Sequence, residues 1–226
     1  MSDNVPGRLI VIEGVEGAGK STQLALLQRR LIDGGHDCVT FREPGGTPLG
    51  DEIRRLLLSP ESTIAPRAEA LLFMASRAEL IERNVRPALA AGQTVILDRF
   101  FLSTYAYQIG GRGIAESDVR AANAVATQAL VPDLTILLTL PADVGLSRAA
   151  TRGGHDRMEQ SGAAFHTRVE ESFAHFATDA WQRSHPECGL IVPVDATGSE
   201  SEVAARVLAA VSRRFADVGP LAGQLA

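Results

Sequence analysis

The sequence predicts an α/β fold, a five-stranded parallel sheet with helices on both faces in three layers. Two observations carry that prediction. Short, almost wholly apolar runs recur along the chain, and such continuous runs belong to strands buried on both sides. Longer stretches between them place apolar residues three and four apart, the spacing of helices that cover a sheet. The 226 residues suit one domain of this kind, read as spanning 1–226.

The first strand is expected over residues 9–12, where Leu, Ile, Val and Ile follow one another. A helix after it carries Leu24, Leu27 and Leu31 on one face and stops at Gly34-Gly35. Further strands are expected over 38–41, 94–97, 134–139 and 190–194, with helices over about 66–89, 118–130 and 200–215. The last helix aligns Val203, Val207, Val211 and Phe215 in one stripe, and Ser199 with Glu202 has the spacing of a capping box. Gly110-Gly111 and Gly153-Gly154 read as loops able to hinge, and residues 217–226 as a frayed tail.

A net charge of −5 supplies no global field for nucleic acid, so anionic ligands must be gathered by local arginines. No window approaches the roughly 18 apolar residues of a membrane span. The N-terminus lacks the charged-then-apolar order of a signal peptide. Cys38 and Cys188 fit neither a metal pattern nor a disulfide scaffold and read as reduced thiols of a cytoplasmic protein.

The strongest motif follows the first strand: Gly14, Val15, Glu16, Gly17, Ala18, Gly19, Lys20, Ser21, Thr22. A strand, Gly-x-x-x-x-Gly-Lys-Ser and a helix in that order make a P-loop, whose backbone N–H groups converge on phosphate oxygens. Lys20 is expected to reach the outer phosphates of ATP, and the Ser21 hydroxyl to hold Mg²⁺. A guanine-reading Asn-Lys-x-Asp segment, needed by a GTPase switch, does not occur. Residues 95–98 end a strand in Asp98 as in motor ATPases, but Arg99 follows where a water-activating Glu would stand. Asp98-Arg99 fits phosphoryl transfer to a second substrate better, Asp98 orienting the Mg²⁺ shell and Arg99 offering a planar fork to an acceptor phosphate. A surface Asp–Arg pair capping the strand is the plainer alternative.

Arg42 opens Arg42-Glu-Pro-Gly-Gly-Thr47, a stiff loop containing Pro44 that can bring a ligand against backbone and guanidinium, or serve merely as a turn. Phe73 and Arg77 are four apart on one helix face, suited to stacking on a base and bonding its carbonyl edge, though also to ordinary packing. With Leu102-Ser-Thr-Tyr-Ala-Tyr-Gln108, these segments resemble bacterial thymidylate kinases in order and spacing, from about Leu9 to Phe215.

The resemblance implies an ATP:dTMP phosphotransferase of dTTP synthesis, with ATP and dTMP as ligands, Mg²⁺ as cofactor, and a homodimer. It implies that Phe73 stacks on thymine and that Arg77 donates to its exocyclic carbonyl. Thr104 and Gln108 would face the base edge, and Tyr107 would lie under the sugar and exclude a 2′-hydroxyl. Arg42 and Arg99 would hold the acceptor phosphate, beside Pro44, and Glu16 would reach the 3′-hydroxyl. The variable P-loop positions carry no basic residue, so charge on the transferred group needs arginines from elsewhere. Arg148, Arg152 and Arg157 resemble the lid of those kinases, over about 148–160; Arg152 is the expected transition-state contact and Arg148 and Arg157 the ATP contacts.

No general base is needed, because a nucleoside monophosphate with a second pKa near ~6 is already ionised. A deoxynucleoside kinase using Glu16 as base is the nearest enzymatic rival. A non-enzymatic switch module is the other alternative, disfavoured by acceptor-side arginines that a switch does not need.

Overall fold

The computed structural model describes residues 7–140, 144–145, 157–158 and 160–218. Its sheet has five parallel strands in the order β2-β3-β1-β4-β5. They are β1 (Arg8–Gly14), β2 (Cys38–Arg42), β3 (Thr94–Asp98), β4 (Leu134–Thr139) and β5 (Ile191–Asp195). β1 lies at the centre, between β3 and β4, so loops leaving the carboxyl ends part to either side of it. The register places both Ile12 and Arg42 opposite Asp98. This alignment delivers the P-loop, Arg42 and Asp98-Arg99 to one edge of the sheet.

Strand alternation divides the interior into two cores. Leu9 and Val11 join Val95, Leu97 and Leu137 on one face. Ile10 and Ile12 join Ile96, Ile136 and Leu138 on the other. The second face is covered by α1 (Lys20–Asp33) and by α9 (Glu200–Arg214), which pack on each other. Both halves of the α9 capping box form: the Ser199 hydroxyl accepts from the Glu202 N–H, and the Glu202 carboxylate accepts from the Ser199 N–H. Val203, Val207 and Val211 are buried in this core, each burial contributing roughly 1.5–3 kcal/mol.

The other face carries α2 (Pro48–Leu58), α3 (Pro66–Leu80), α4 (Arg86–Ala90), α5 (Phe101–Thr104), α6 (Glu116–Thr127), α7 (Ala163–Phe176) and α8 (Asp179–Ser184). The single helix expected over 66–89 is divided by a π-helical turn, Ile81–Val85, just ahead of Pro87. Proline lacks the amide that would continue the regular ladder, and a wider turn absorbs the mismatch. α6 spans Glu116–Thr127 rather than 118–130, because Gln128 and Ala129 turn to φ 46° and 60° and end it.

Gly110-Gly111 does not form the expected hinge. It closes a π-helical segment, Tyr105–Gly111, packed tightly on α7. A Cβ on Gly111 would lie 2.4 Å from the Phe165 ring, so glycine serves close approach there. Two residues expected in the frayed tail are held in place: Asp217 pairs with Arg8 at 2.6 Å and Val218 is buried. Among the described residues no helix is long and apolar enough to cross a membrane.

Candidate active site

The carboxyl edge of the sheet holds a cleft of about 330 Å³. It is lined by Glu16, Gly17, Gly19, Lys20 and Ser21 of the P-loop and by Arg42, Pro44, Phe73, Arg77, Thr104, Tyr107 and Gln108. Asp98, Arg99 and Ser103 complete the same wall. Residues from five separate sequence segments thus meet in one space.

The P-loop takes its form from its glycines. Gly17 sits at φ 75°, and a Cβ there would lie 2.1 Å from the Gly145 carbonyl oxygen. Gly19, at φ 86°, is the N-cap of α1 and provides no side-chain cap, so the first N–H groups of the helix face outward with its positive end. Lys20 is 8% exposed, and its Nζ donates to the carbonyls of Gly14 at 3.0 Å and Val15 at 2.8 Å.

Burial, and then the Arg99 charge, push Lys20 down to about 7 against the opposing pull of Asp98, Glu13 and Glu16. A bound triphosphate favours the ammonium form, so binding must raise that value and take up a proton wherever the free lysine is neutral. Calorimetry in buffers of differing ionisation enthalpy is expected to show close to one proton absorbed per ATP at about pH 8 and little at about pH 6. Affinity falls correspondingly as pH rises above about 7. Absence of uptake at the higher pH would show a lysine already charged.

The Ser21 hydroxyl donates to Asp98 Oδ2 at 2.9 Å. A hydroxyl beside a carboxylate at the helix start suits Mg²⁺, which takes one or two protein oxygens and completes its shell with phosphates and water. Among the described residues no cluster of three His, Cys, Asp or Glu forms an all-protein metal cage.

Arg99 lies in the left-handed region at φ 73°, a conformation that costs energy and is held here from outside. Its backbone N–H donates to the Ile12 carbonyl at 3.0 Å. Its Nη1 donates to Ser103 Oγ at 2.8 Å, and its guanidinium lies 5.4 Å from the Tyr107 ring centroid. Glu13, fully buried, accepts from the N–H groups of Phe100 and Ser103 and from the Ser103 hydroxyl.

Across the cleft, the 43–47 loop is fixed at several points. The Gly45 N–H donates to Ser76 Oγ, the Gly46 N–H to Asp51, and Arg54 Nη1 to the Pro44 carbonyl. The Glu43–Pro44 peptide is cis. Thr47 caps α2 by accepting from the Gly50 N–H at 2.9 Å. The Arg42 side chain is 60% exposed and 3.9 Å from Asp51, a loose surface pair that leaves it able to turn to a ligand.

Arg77 is more constrained than its sequence position suggests. It is 2% exposed and donates from Nε to Glu43 at 2.7 Å, from Nη1 to Asn123 and from Nη2 to the Phe100 carbonyl at 2.8 Å. Nη2 also lies 2.6 Å from Glu43, which leaves the second Nη1 hydrogen for a ligand. Gln108 Nε2 donates to buried Glu69 at 3.1 Å. Glu69 also receives Arg112 on both oxygens. Burial alone would raise the Glu69 carboxyl, but hydrogen bonds from Arg112 and Arg157 prevail and hold it below the ordinary range.

Arg157, which the resemblance assigns to the ATP phosphates, lies 2.7 Å from Glu69 and donates to the Leu57 carbonyl at 2.8 Å. A buried carboxylate and a helix-end carbonyl out-compete solvent for it. Arg148, Arg152 and Gly153-Gly154 lie outside the described residues. Sequence reasoning passed over Glu13, Ser103, Glu69 and Asn123. Glu13 had a signal, a lone carboxylate in an apolar strand, and Ser103 stands four residues from Arg99; Glu69 and Asn123 had none, since their partners are remote in sequence.

A family profile for thymidylate kinase matches residues 12–185. The chain is 46% identical to a thymidylate kinase of Deinococcus radiodurans, over 92% of this chain and 98% of the relative. It is 47% identical to a thymidylate kinase of a Synechococcus species, over 91% of this chain and 95% of the relative. The value for a Pseudomonas putida thymidylate kinase is 47%, over 78% and 85%. With a match of this extent, and with a P-loop and arginine-lined cleft at one sheet edge, the chain belongs to the thymidylate kinase family.

Proposed function

We propose that this protein transfers the γ-phosphoryl group of ATP to dTMP, forming dTDP for dTTP synthesis. The observation that carries the reading is the single cleft joining Lys20 and Ser21 to Arg77, Thr104 and Gln108. Donor and acceptor sites sharing one space suit direct transfer, in which catalysis is positioning and charge neutralisation.

In this mechanism the P-loop N–H groups and Lys20 bind the donor phosphates. Arg42 and Arg99 orient the acceptor phosphate, Phe73 stacks on thymine, Arg77, Thr104 and Gln108 bond its edge, and Tyr107 and Glu16 contact the sugar. Ser21 and Asp98 would hold Mg²⁺, which when bound offsets the negative charge of the donor phosphates. The acceptor oxygen is ionised at neutral pH and needs no base. The loop's Val15, Glu16 and Ala18 supply no cation, so Arg152 is assigned to the charge on the transferred group, and Arg148 and Arg157 to ATP.

A single kinase domain acting in the cytoplasm as a homodimer completes the reading. Free Cys38 and Cys188 support the compartment. Exposed Leu49, Leu56, Leu71 and Val125, on helices α2, α3 and α6 that pack side by side, support a self-associating face. ADP formation measured with a panel of acceptors tests the activity, and dTMP is expected to be turned over fastest. Equal or faster turnover of thymidine would replace the assignment with a nucleoside kinase.

A further inference from the structure

We propose that Glu13 and Ser103 are positioning residues for Arg99: the Glu13 carboxylate sets the direction of the Ser103 hydroxyl, which in turn aims the Arg99 guanidinium at the acceptor phosphate. The inference rests on the reading of Arg99 as a phosphate ligand of the acceptor. It would make one carboxylate on the P-loop strand responsible for geometry on the acceptor side.

Glu13 is 0% exposed, and a carboxylate in that position is costly unless bonded. Its Oε1 accepts from the Phe100 N–H at 2.7 Å and the Ser103 N–H at 3.0 Å. These two bonds tie the start of α5 to β1, and a helix-capping role would need nothing more. Oε2 is engaged separately, by the Ser103 hydroxyl at 2.6 Å, the short range of a hydroxyl donating to a charged acceptor.

The Ser103 hydroxyl donates its one hydrogen to Glu13 Oε2, so its oxygen lone pairs are turned outward. Arg99 Nη1 donates to that oxygen at 2.8 Å. The Arg99 backbone is held as well, by its N–H on the Ile12 carbonyl and the following N–H on Glu13. A long side chain that could swing among rotamers is thereby fixed at its root and near its tip. Orienting an ion-pairing group before the ligand arrives removes an ordering cost from binding and from the transition state.

Ser103→Ala separates the two roles, because it leaves both Oε1 bonds in place and deletes the bridge to Arg99. Steady-state kinetics of the full chain at saturating ATP, with dTMP varied, are expected to show kcat/KM for dTMP lowered about 10-fold or more. The ATP dissociation constant should stay within about 2-fold, because Arg99 is not assigned to ATP. Ser103→Thr, which keeps the hydroxyl, should recover activity to within about 3-fold of wild type. Glu13→Gln should behave like Ser103→Ala, since the amide would donate into the oxygen that Arg99 needs. In an Arg99→Ala background, Ser103→Ala should cost nothing further.

Unchanged kcat/KM in Ser103→Ala, or losses from Ser103 and Arg99 that simply add, would overturn the positioning role while leaving the kinase reading intact. Wild-type protein unable to phosphorylate dTMP would overturn the acceptor assignment, and this inference with it.

Discussion

Replacing Lys20 with alanine is expected to lower kcat by about 10³-fold while leaving KM for dTMP little changed. The lysine is held by two loop carbonyls, so in the proposed role at the outer phosphates its ammonium would need little movement to act. Lys20→Arg should fail nearly as badly, because a planar fork cannot replace a compact ammonium between the Gly14 and Val15 oxygens. Stability moves differently. Burial has already drawn Lys20 down to about 7, so deleting it removes a group that the fold holds at a cost. The alanine variant should therefore melt no lower than wild type. Turnover within about 10-fold of wild type, measured by ADP release, would remove Lys20 from the charge-stabilising role.

Glu43→Ala is expected to have the largest effect on stability, about 3–5 kcal/mol. Glu43 and Arg77 approach to 2.6 Å with side chains 5% and 3% exposed, so neither charge has water to fall back on. Removing the carboxylate strands a guanidinium whose other partners, Asn123 and the Phe100 carbonyl, are neutral. The control is the double replacement Glu43→Leu with Arg77→Met. Taking out both charges should recover much of the lost stability in urea unfolding, while turnover of dTMP stays low for want of the Arg77 donor. Equal loss in the single and double variants would show that packing, not the unpaired charge, sets the cost.

Both predictions use groups that the sequence revealed unequally. Lys20 was legible because the P-loop is local: a strand, a spacing and a helix lie within one short stretch. The parallel sheet was legible for a similar reason, since each buried strand carries its own continuous apolar run. α7 was not, although Phe165, Val169, Phe173 and Phe176 form its buried stripe. Its neighbours on the arginine-rich side drew the sequence reading toward charge and away from that periodicity. The π turn before Pro87 was also hidden, because proline announces a disturbed ladder without saying whether the helix stops or widens.

The site divides along the same line. Side chains with a direct chemical signature, Arg42, Phe73, Arg77, Asp98 and Arg99, could be named from residue type and spacing, and they line one cleft. What holds them could not. Arg77 depends on Glu43 and Asn123, which stand 34 and 46 residues away, and Arg99 on Glu13 through Ser103. The Arg157–Glu69 contact joins residues far apart in the sequence, and only the folded chain brings them within reach.

The sequence by itself determined the fold class, the nucleotide-binding loop and the family, since each rests on short-range patterns of polarity and backbone freedom. Tertiary structure alone decided which carboxylate restrains which arginine. Such pairings are fixed by strand register and helix packing, which bring together residues whose separation along the chain carries no trace of their contact.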